Sequence, residues 1–156
     1  MKWHSAPLSK VAPASSSKVS SKQLGEEAWS LTLDQIESNT GRIVNKKVCS
    51  PSTAGASTYV FDEGNVLYSK LRPYLNKVVC PDEKGIATTE LVPLRPRLSI
   101  LNRGYLTYYL RSRDFVAFAA QAVAGMKMPR IIMSKFWAHE IPLPPPSEQR
   151  KIVELL

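Results

Sequence analysis

About two thirds of the way along the chain the spacing of its apolar residues changes, and that change most constrains the fold. Between residues 57 and 94 the runs "STYVF", "NVLYSKL", "NKVVC" and "IATTELVPL" are short and rich in β-branched and aromatic side chains. The stretches "DEGN", "RPY" and "PDEKG" separate them with turn-forming residues. Branched and aromatic side chains suit a pleated, half-buried surface, so these runs read as strands. "NKVVCPDEKGIATTELV" reads as a hairpin with Gly85 at the turn position that needs positive φ. From residue 104 the period becomes helical. In "GYLTYYLRSRDFVAFAAQAVAG" one stripe holds Leu106, Tyr109 and Leu110, and a second holds Phe115, Phe118, Ala119 and Ala122. One kinked helix or two short ones fit this pattern, with Gly125 as the C-terminal cap. Strands followed by helices predict an α+β fold: a small mixed or antiparallel sheet with flanking helices.

The flanks read less regularly. Leu8 and Val11 suit one short helical turn, and the Ser/Lys/Pro/Ala run after them suits a loop. In "EEAWSLTLDQIESNT" Trp29, Leu33 and Ile36 fall on one helical face, with Gly41 as a stop, which predicts a short amphipathic helix. "VCSPSTAGAS" is loop chemistry. "PRIIM" reads as a last strand and "SKFWAHEI" as one more helical turn. "PLPPP" is stiff and extended, because each ring fixes φ and removes a donor. Ser147 then suits an N-cap, Glu148 the first turn of a helix, and Ile152, Leu155 and Leu156 an apolar seam. Two helical turns with no partner are unstable in water, so this helix is expected to continue in a longer chain or to pack on something else. Residues 1–143 therefore read as one domain and 144–156 as a Pro-rich exit with the first turns of a helix.

Charge narrows the function. Residues 66–156 carry 14 basic and 7 acidic side chains, a net of +7, whereas residues 1–65 carry 7 and 6. A one-sided basic excess concentrates polyanions, although a merely soluble basic protein also carries one. The 44% apolar content is that of a globular protein. No apolar run approaches a membrane span or the core of a secretion signal, which points to a cytoplasmic protein. Cys49 and Cys80 form no C-x-x-C pair and read as two partly buried thiols rather than a disulfide.

Catalytic and cofactor motifs do not appear. G-x-G-x-x-G and the phosphate-loop lysine are missing, "PLPPPS" lacks the Asn and aromatic of an adenine methyltransferase motif, and Pro81-Asp82 has no Glu-x-Lys after it. His139 beside Trp137 reads as packing rather than as a metal ligand. No cofactor and no metal site is expected. Three segments suit contact with nucleic acid instead. "VLYSKLRPYLNK" interleaves Lys70, Arg72 and Lys77 with Tyr68 and Tyr74 around a rigid Pro73. Such a turn suits phosphate contact, and Arg also reads guanine edges; a charged outer strand face is the plain alternative. "AGMKMPRI" is a Gly-containing loop with Lys127 and Arg130, in which Met126 and Met128 read as core filler. "LRPRLSILNRG" adds Arg95, Arg97 and Arg103, which suit a solvated basic face.

Together these segments resemble a known family in order and over nearly the whole chain. "WHSAPLSKV", "FDEGNVLYSKLRPYLNKVV", "GIATTELVPLRP", "GYLTYYLRS" and "GMKMPRIIMSKFWAHEIPLPPPSEQRKIVELL" are similar to successive motifs of a target recognition domain from the specificity subunit of type I restriction–modification systems. The central basic motif and the PP-x-EQ-x-x-I exit carry the resemblance together. Residues 38–58 match no motif, as expected where targets diverge.

The resemblance implies a domain that does no chemistry and binds one half of a bipartite duplex DNA target. In the family two such domains are separated by long spacer helices that act as a ruler and dock methyltransferase subunits, which hold S-adenosylmethionine. The same helices lead to the restriction subunit. By position Lys70, Arg72, Tyr74 and Lys77 fall in the basic motif and Lys127 and Arg130 in the Gly loop, with Lys77 also suited to a structural role. Ile152, Leu155 and Leu156 fall on the partner-docking helix. With one recognition domain and only the start of a spacer, the sequence is expected to be a fragment, or else a half-sized subunit that pairs with a second half or a second copy. Two further classes remain: a protein-interaction scaffold docking through its last helix with only non-specific DNA binding, and an RNA-binding protein, for which no aromatic-rich motif appears.

Overall fold

The computed structural model describes residues 3–17, 24–51 and 58–156. Most of the loop expected over 48–57, part of the Ser-rich run after Val11, and Ser57 at the head of the first expected strand lie outside these residues. In chain order the described residues form β1 (His4–Pro7), α1 (Leu8–Val11), β2 (Ala28–Leu31), β3 (Val48–Cys49), β4 (Thr58–Phe61), β5 (Val66–Ser69), β6 (Val78–Val79), β7 (Gly85–Thr88) and β8 (Leu91–Leu94). Then come α2 (Arg103–Arg111), α3 (Arg113–Gln121), β9 (Val123–Ala124), β10 (Arg130–Ile131), α4 (Met133–Ala138), β11 (Glu140–Leu143) and α5 (Pro146–Leu155). Short 3-10 turns occupy Leu33–Gln35 and Pro73–Leu75.

The α+β expectation holds, but the strands divide among several small sheets. One is antiparallel, in the order β6-β5-β8; another is mixed, in the order β3-β2-β7-β4, with β2 parallel to β7. β1 pairs with β11 and β9 with β10. Alternation along β5 links the cores. Val66 and Tyr68 face a cluster built from α1 to α4, with Phe115 and Phe136 at its centre. Leu67 faces the opposite way, into a cluster with Trp29, Leu31 and Phe61.

Several local readings are corrected by tertiary packing. Residues 26–40 form no α-helix: they form β2 and a 3-10 turn. Trp29 and Leu31 alternate into one cluster while Ala28 faces another, so β2 is buried on both faces. Gln35 then fixes the turn, accepting from Trp29 Nε1 (3.1 Å) and donating to the Ser30 carbonyl (2.6 Å). The hairpin expected over 76–92 is also absent, because β6 pairs with β5 and β7 joins the other sheet. Gly85 lies within β7 and serves close packing: a Cβ there would lie 2.6 Å from Phe61 Cζ and 2.7 Å from the Trp29 carbonyl.

The helical stripe divides at Ser112 into α2 and α3, whose N-caps are Asn102 and Ser112. Gly125 has positive φ, but it does not cap α3, which ends at Gln121 with β9 intervening; Gly125 turns the chain beyond β9. Ser147 does not cap α5 either: the N-cap is Pro145 and Pro146 starts the helix, where its missing N–H costs nothing. Glu148 occupies the first turn as expected. His139 packs among Tyr109, Phe115 and Phe118, its Nε2 2.6 Å from the Tyr109 hydroxyl. Cys49 and Cys80 are free thiols, each partly buried.

Candidate nucleic-acid interface

The basic turn after β5 and the Gly loop after β9, more than fifty residues apart in sequence, form one surface. Backbone hydrogen bonds join them. The Arg72 N–H donates to the Pro129 carbonyl (2.7 Å), the Ile131 N–H to the Lys70 carbonyl (2.9 Å), and Leu71 bridges Arg130. The Arg72 side chain reinforces the joint, since its Nη2 donates to the Lys127 carbonyl (3.3 Å) and lies 3.9 Å from Met128 Sδ. Arg72 itself has left-handed backbone (φ 47°), an unusual state for a residue with a side chain. That conformation turns the chain sharply into the Pro73–Leu75 turn, where Tyr74 stands 49% exposed.

The loop faces solvent. Met126 is 99% exposed and Met128 45%, so neither fills the core as their apolar character suggests. Gly125 and the backbone anchors to Arg72 lift both out of the interior. Lys127 is exposed between them and makes no side-chain hydrogen bond among the described residues.

The other expected cations differ. Lys77 points inward, its Nζ donating to the Leu33 carbonyl (2.8 Å), and so ties the 3-10 turn after β2 to the antiparallel sheet. Arg130 is exposed yet paired: Nε and Nη2 donate to the Glu90 carboxylate at 2.9 and 2.6 Å. The hydrogen bond from Arg130 and, to a smaller extent, the charge of Lys70 hold the Glu90 carboxyl below its usual range. Lys70 is half-buried between Glu90 and Arg130 in the same layer. The surface therefore collects Lys70, Arg72, Tyr74, Lys127 and Arg130, while Lys77 lies apart in the frame.

The third basic segment belongs to the frame as well. Arg95 pairs with Asp62 (2.7 Å), Arg97 donates to the Lys10 carbonyl, and Arg103 donates to the carbonyls of Asn65 and Pro81. Sequence reasoning missed Glu90, which no local pattern marks, and it placed Gln149 in the PP-x-EQ-x-x-I exit without a structural role. Gln149 is fully buried: its Nε2 donates to the Ile100 and Pro144 carbonyls (2.8 Å each) and its Oε1 accepts from the Asn102 N–H (2.7 Å). Gln149 thus locks the first turn of α5 to the N-cap of α2. The apolar seam of α5 is divided: Ile152 and Val153 pack on the helical core, whereas Leu155 and Leu156 are exposed. Among the described residues no three His, Cys, Asp or Glu side chains cluster as metal ligands do, and no helix is long and apolar enough to cross a membrane.

The family described as "Type I restriction modification DNA specificity domain" matches residues 2–156. The chain is similar to the type I restriction enzyme EcoDI specificity subunit of Escherichia coli, with 26% identity over 123 residues, 79% of this chain and 27% of that protein. The crystal structure of the HsdS subunit from Thermoanaerobacter tengcongensis superposes with a TM-score of 0.80 at 26% identity, over 98% of this chain and 40% of that one. A structure described for complex assembly and conformational transition of the type I R-M system gives 0.82 at 24% identity, over 99% and 41%. The type I S subunit from M. genitalium gives 0.62 at 13%, over 99% and 38%; these last two matches show a shared fold. The chain thus spans roughly a quarter to two fifths of the length of the relatives it matches.

Proposed function

Because this chain belongs to the type I restriction modification DNA specificity domain family, we propose that it recognises one half of a bipartite duplex DNA target and does no chemistry of its own. The observation that carries this reading is the single outward surface built from the basic turn and the Gly loop and joined through Arg72. Cations on a rigid, solvent-facing loop suit phosphate contact and reading of groove edges. The net +7 of residues 66–156 adds long-range attraction for a polyanion. In this reading residues 1–143 are the recognition unit and α5 starts a spacer. That helix leads to methyltransferase subunits, to the restriction subunit, and to a second recognition half or a second copy, all in the cytoplasm.

Selection from randomised duplex DNA tests this, using the chain with and without a modification subunit at two salt concentrations. Enrichment of a short fixed motif supports recognition and names the half-site. If about six phosphates are neutralised, the log–log salt slope is near −5. A second reading, in which α5 docks partner subunits and the DNA contact is non-specific, draws on the exposed Leu155 and Leu156. It predicts salt-sensitive binding with no enriched motif in either condition.

A further inference from the structure

We propose that Glu90 is a positioning residue for DNA sequence discrimination, holding the Arg130 guanidinium so that its free edge reads a base. The inference rests on the turn–loop surface being the DNA-binding face. Its structural basis is a layer of three adjacent chain segments. The Lys70 N–H donates to the Glu90 carbonyl (3.0 Å), and the Lys70 carbonyl accepts from the Ile131 N–H (2.9 Å). Backbone hydrogen bonds on both sides of Lys70 therefore fix the separation of Glu90 and Arg130. The Glu90 N–H lies 3.4 Å from Thr88 Oγ1, within the turn that joins β7 to β8.

On that base the Glu90 carboxylate engages one edge of the guanidinium, through Nε (2.9 and 3.1 Å) and Nη2 (2.6 Å). The carboxylate is mostly buried and the guanidinium half-exposed. A guanidinium is planar and presents two forks. With the Nε–Nη2 fork occupied, the Nη1–Nη2 fork remains, held in one plane. That fork matches the two acceptors O6 and N7 of guanine. An unbuttressed arginine swings among many rotamers and settles on any nearby phosphate, so it adds affinity without discrimination.

A carboxylate on a polyanion-binding face has an unambiguous electrostatic effect: it repels DNA of every sequence. Removing it, if charge were its whole role, strengthens binding to all sequences alike. A buttress gives the opposite sign on the preferred sequence. The test is the randomised-duplex selection run in parallel on the wild-type chain, Glu90→Gln and Arg130→Lys, each with the modification subunit and each checked for an unchanged thermal transition. Affinities are then measured on the enriched duplex and on a scrambled duplex of equal length.

Glu90→Gln should hold or raise affinity for the scrambled duplex while the preference for the enriched one drops about tenfold, with the loss confined to one base position. Arg130→Lys keeps the charge, loses the fork and should relax the same position. Should Glu90→Gln fold poorly, an intact preference in Arg130→Lys still overturns the proposal. Equal strengthening on both duplexes by Glu90→Gln, with its preference intact, overturns the role of Glu90 while leaving recognition standing. A wild-type chain that enriches no motif overturns both.

Discussion

Gln149 and Arg72 both join distant segments, yet they leave their surroundings in opposite states. At the exit joint the Gln149 amide is fully buried and bonded to Ile100, Pro144 and Asn102. At the turn–loop joint backbone hydrogen bonds do most of the fastening, helped by Arg72 Nη2 on the Lys127 carbonyl, while Lys127 and the two methionines stay in solvent. A buried polar group must be answered by the protein, whereas an exposed cation on a fastened backbone is free to be answered by a ligand. The contrast separates frame from candidate recognition surface among residues of similar chemistry. Lys77, seven positions beyond Lys70, falls on the frame side by this criterion.

The contrast breaks most sharply at Gln149. Gln149→Leu leaves one N–H and two carbonyls unanswered; at about 1–3 kcal/mol for each such group, and without full additivity, the loss of stability should be about 3 kcal/mol. Urea denaturation measures it, and a cost below about 1 kcal/mol would mean that α5 is held by Ile152 and Val153 alone. Next comes Lys77→Met, which removes a charged hydrogen bond worth about 2 kcal/mol. The unfolding midpoint should fall while the motif selected from random duplexes stays the same; a changed motif would move Lys77 to the recognition side.

Arg72→Ala should do the reverse. Its DNA affinity should drop about tenfold on all sequences, with the log–log salt slope shallower by about 1, and its thermal transition should scarcely move. Fluorescence anisotropy at several salt concentrations measures both quantities. The smallest effect concerns the frame alone. Burial holds the His139 imidazole below its ordinary value of 6.5. Below that pH the unfolded chain takes up a proton that the folded chain resists, so stability should decline from about pH 6.5 toward the lower folded value. Thermal scans between pH 7 and 5 should show this slope, and His139→Gln should flatten it.

Legibility followed the range of the interactions. β5, α2 and α3 were readable because their apolar period is local and their core faces agree with it, whereas "IATTELVPL" reads as one strand and is broken at Thr89-Glu90 into β7 and β8, which join different sheets. β2 was not, since Trp29, Leu33 and Ile36 satisfy a helical spacing that only burial on both strand faces overrides. Gly85 carries no local mark of the crowding by Phe61 and Trp29 that demands it. Of the candidate site, the basic turn and the Gly loop were visible as separate segments, but their junction through Arg72 was not. Nor does sequence tell an arginine that the protein itself answers from one left without a partner. Arg95, Arg97 and Arg103 lie in as basic a stretch as any, and their partners are carbonyls and a carboxylate brought from elsewhere. Met126 misled for the same reason: apolar character says what a side chain prefers, not where an anchored backbone holds it.

The pairing of β1 with β11 reaches beyond the fold itself. His4 lies opposite Leu143 and Pro7 opposite Glu140, and the Tyr105 hydroxyl donates to the Pro142 carbonyl (2.8 Å) to hold the pair against α2. The chain thus enters at β1 and leaves at β11 through one two-stranded stem. With His4 opposite Leu143, the step from β11 into α5 is taken beside β1, so a shift in the register of either strand would be felt at the start of α5.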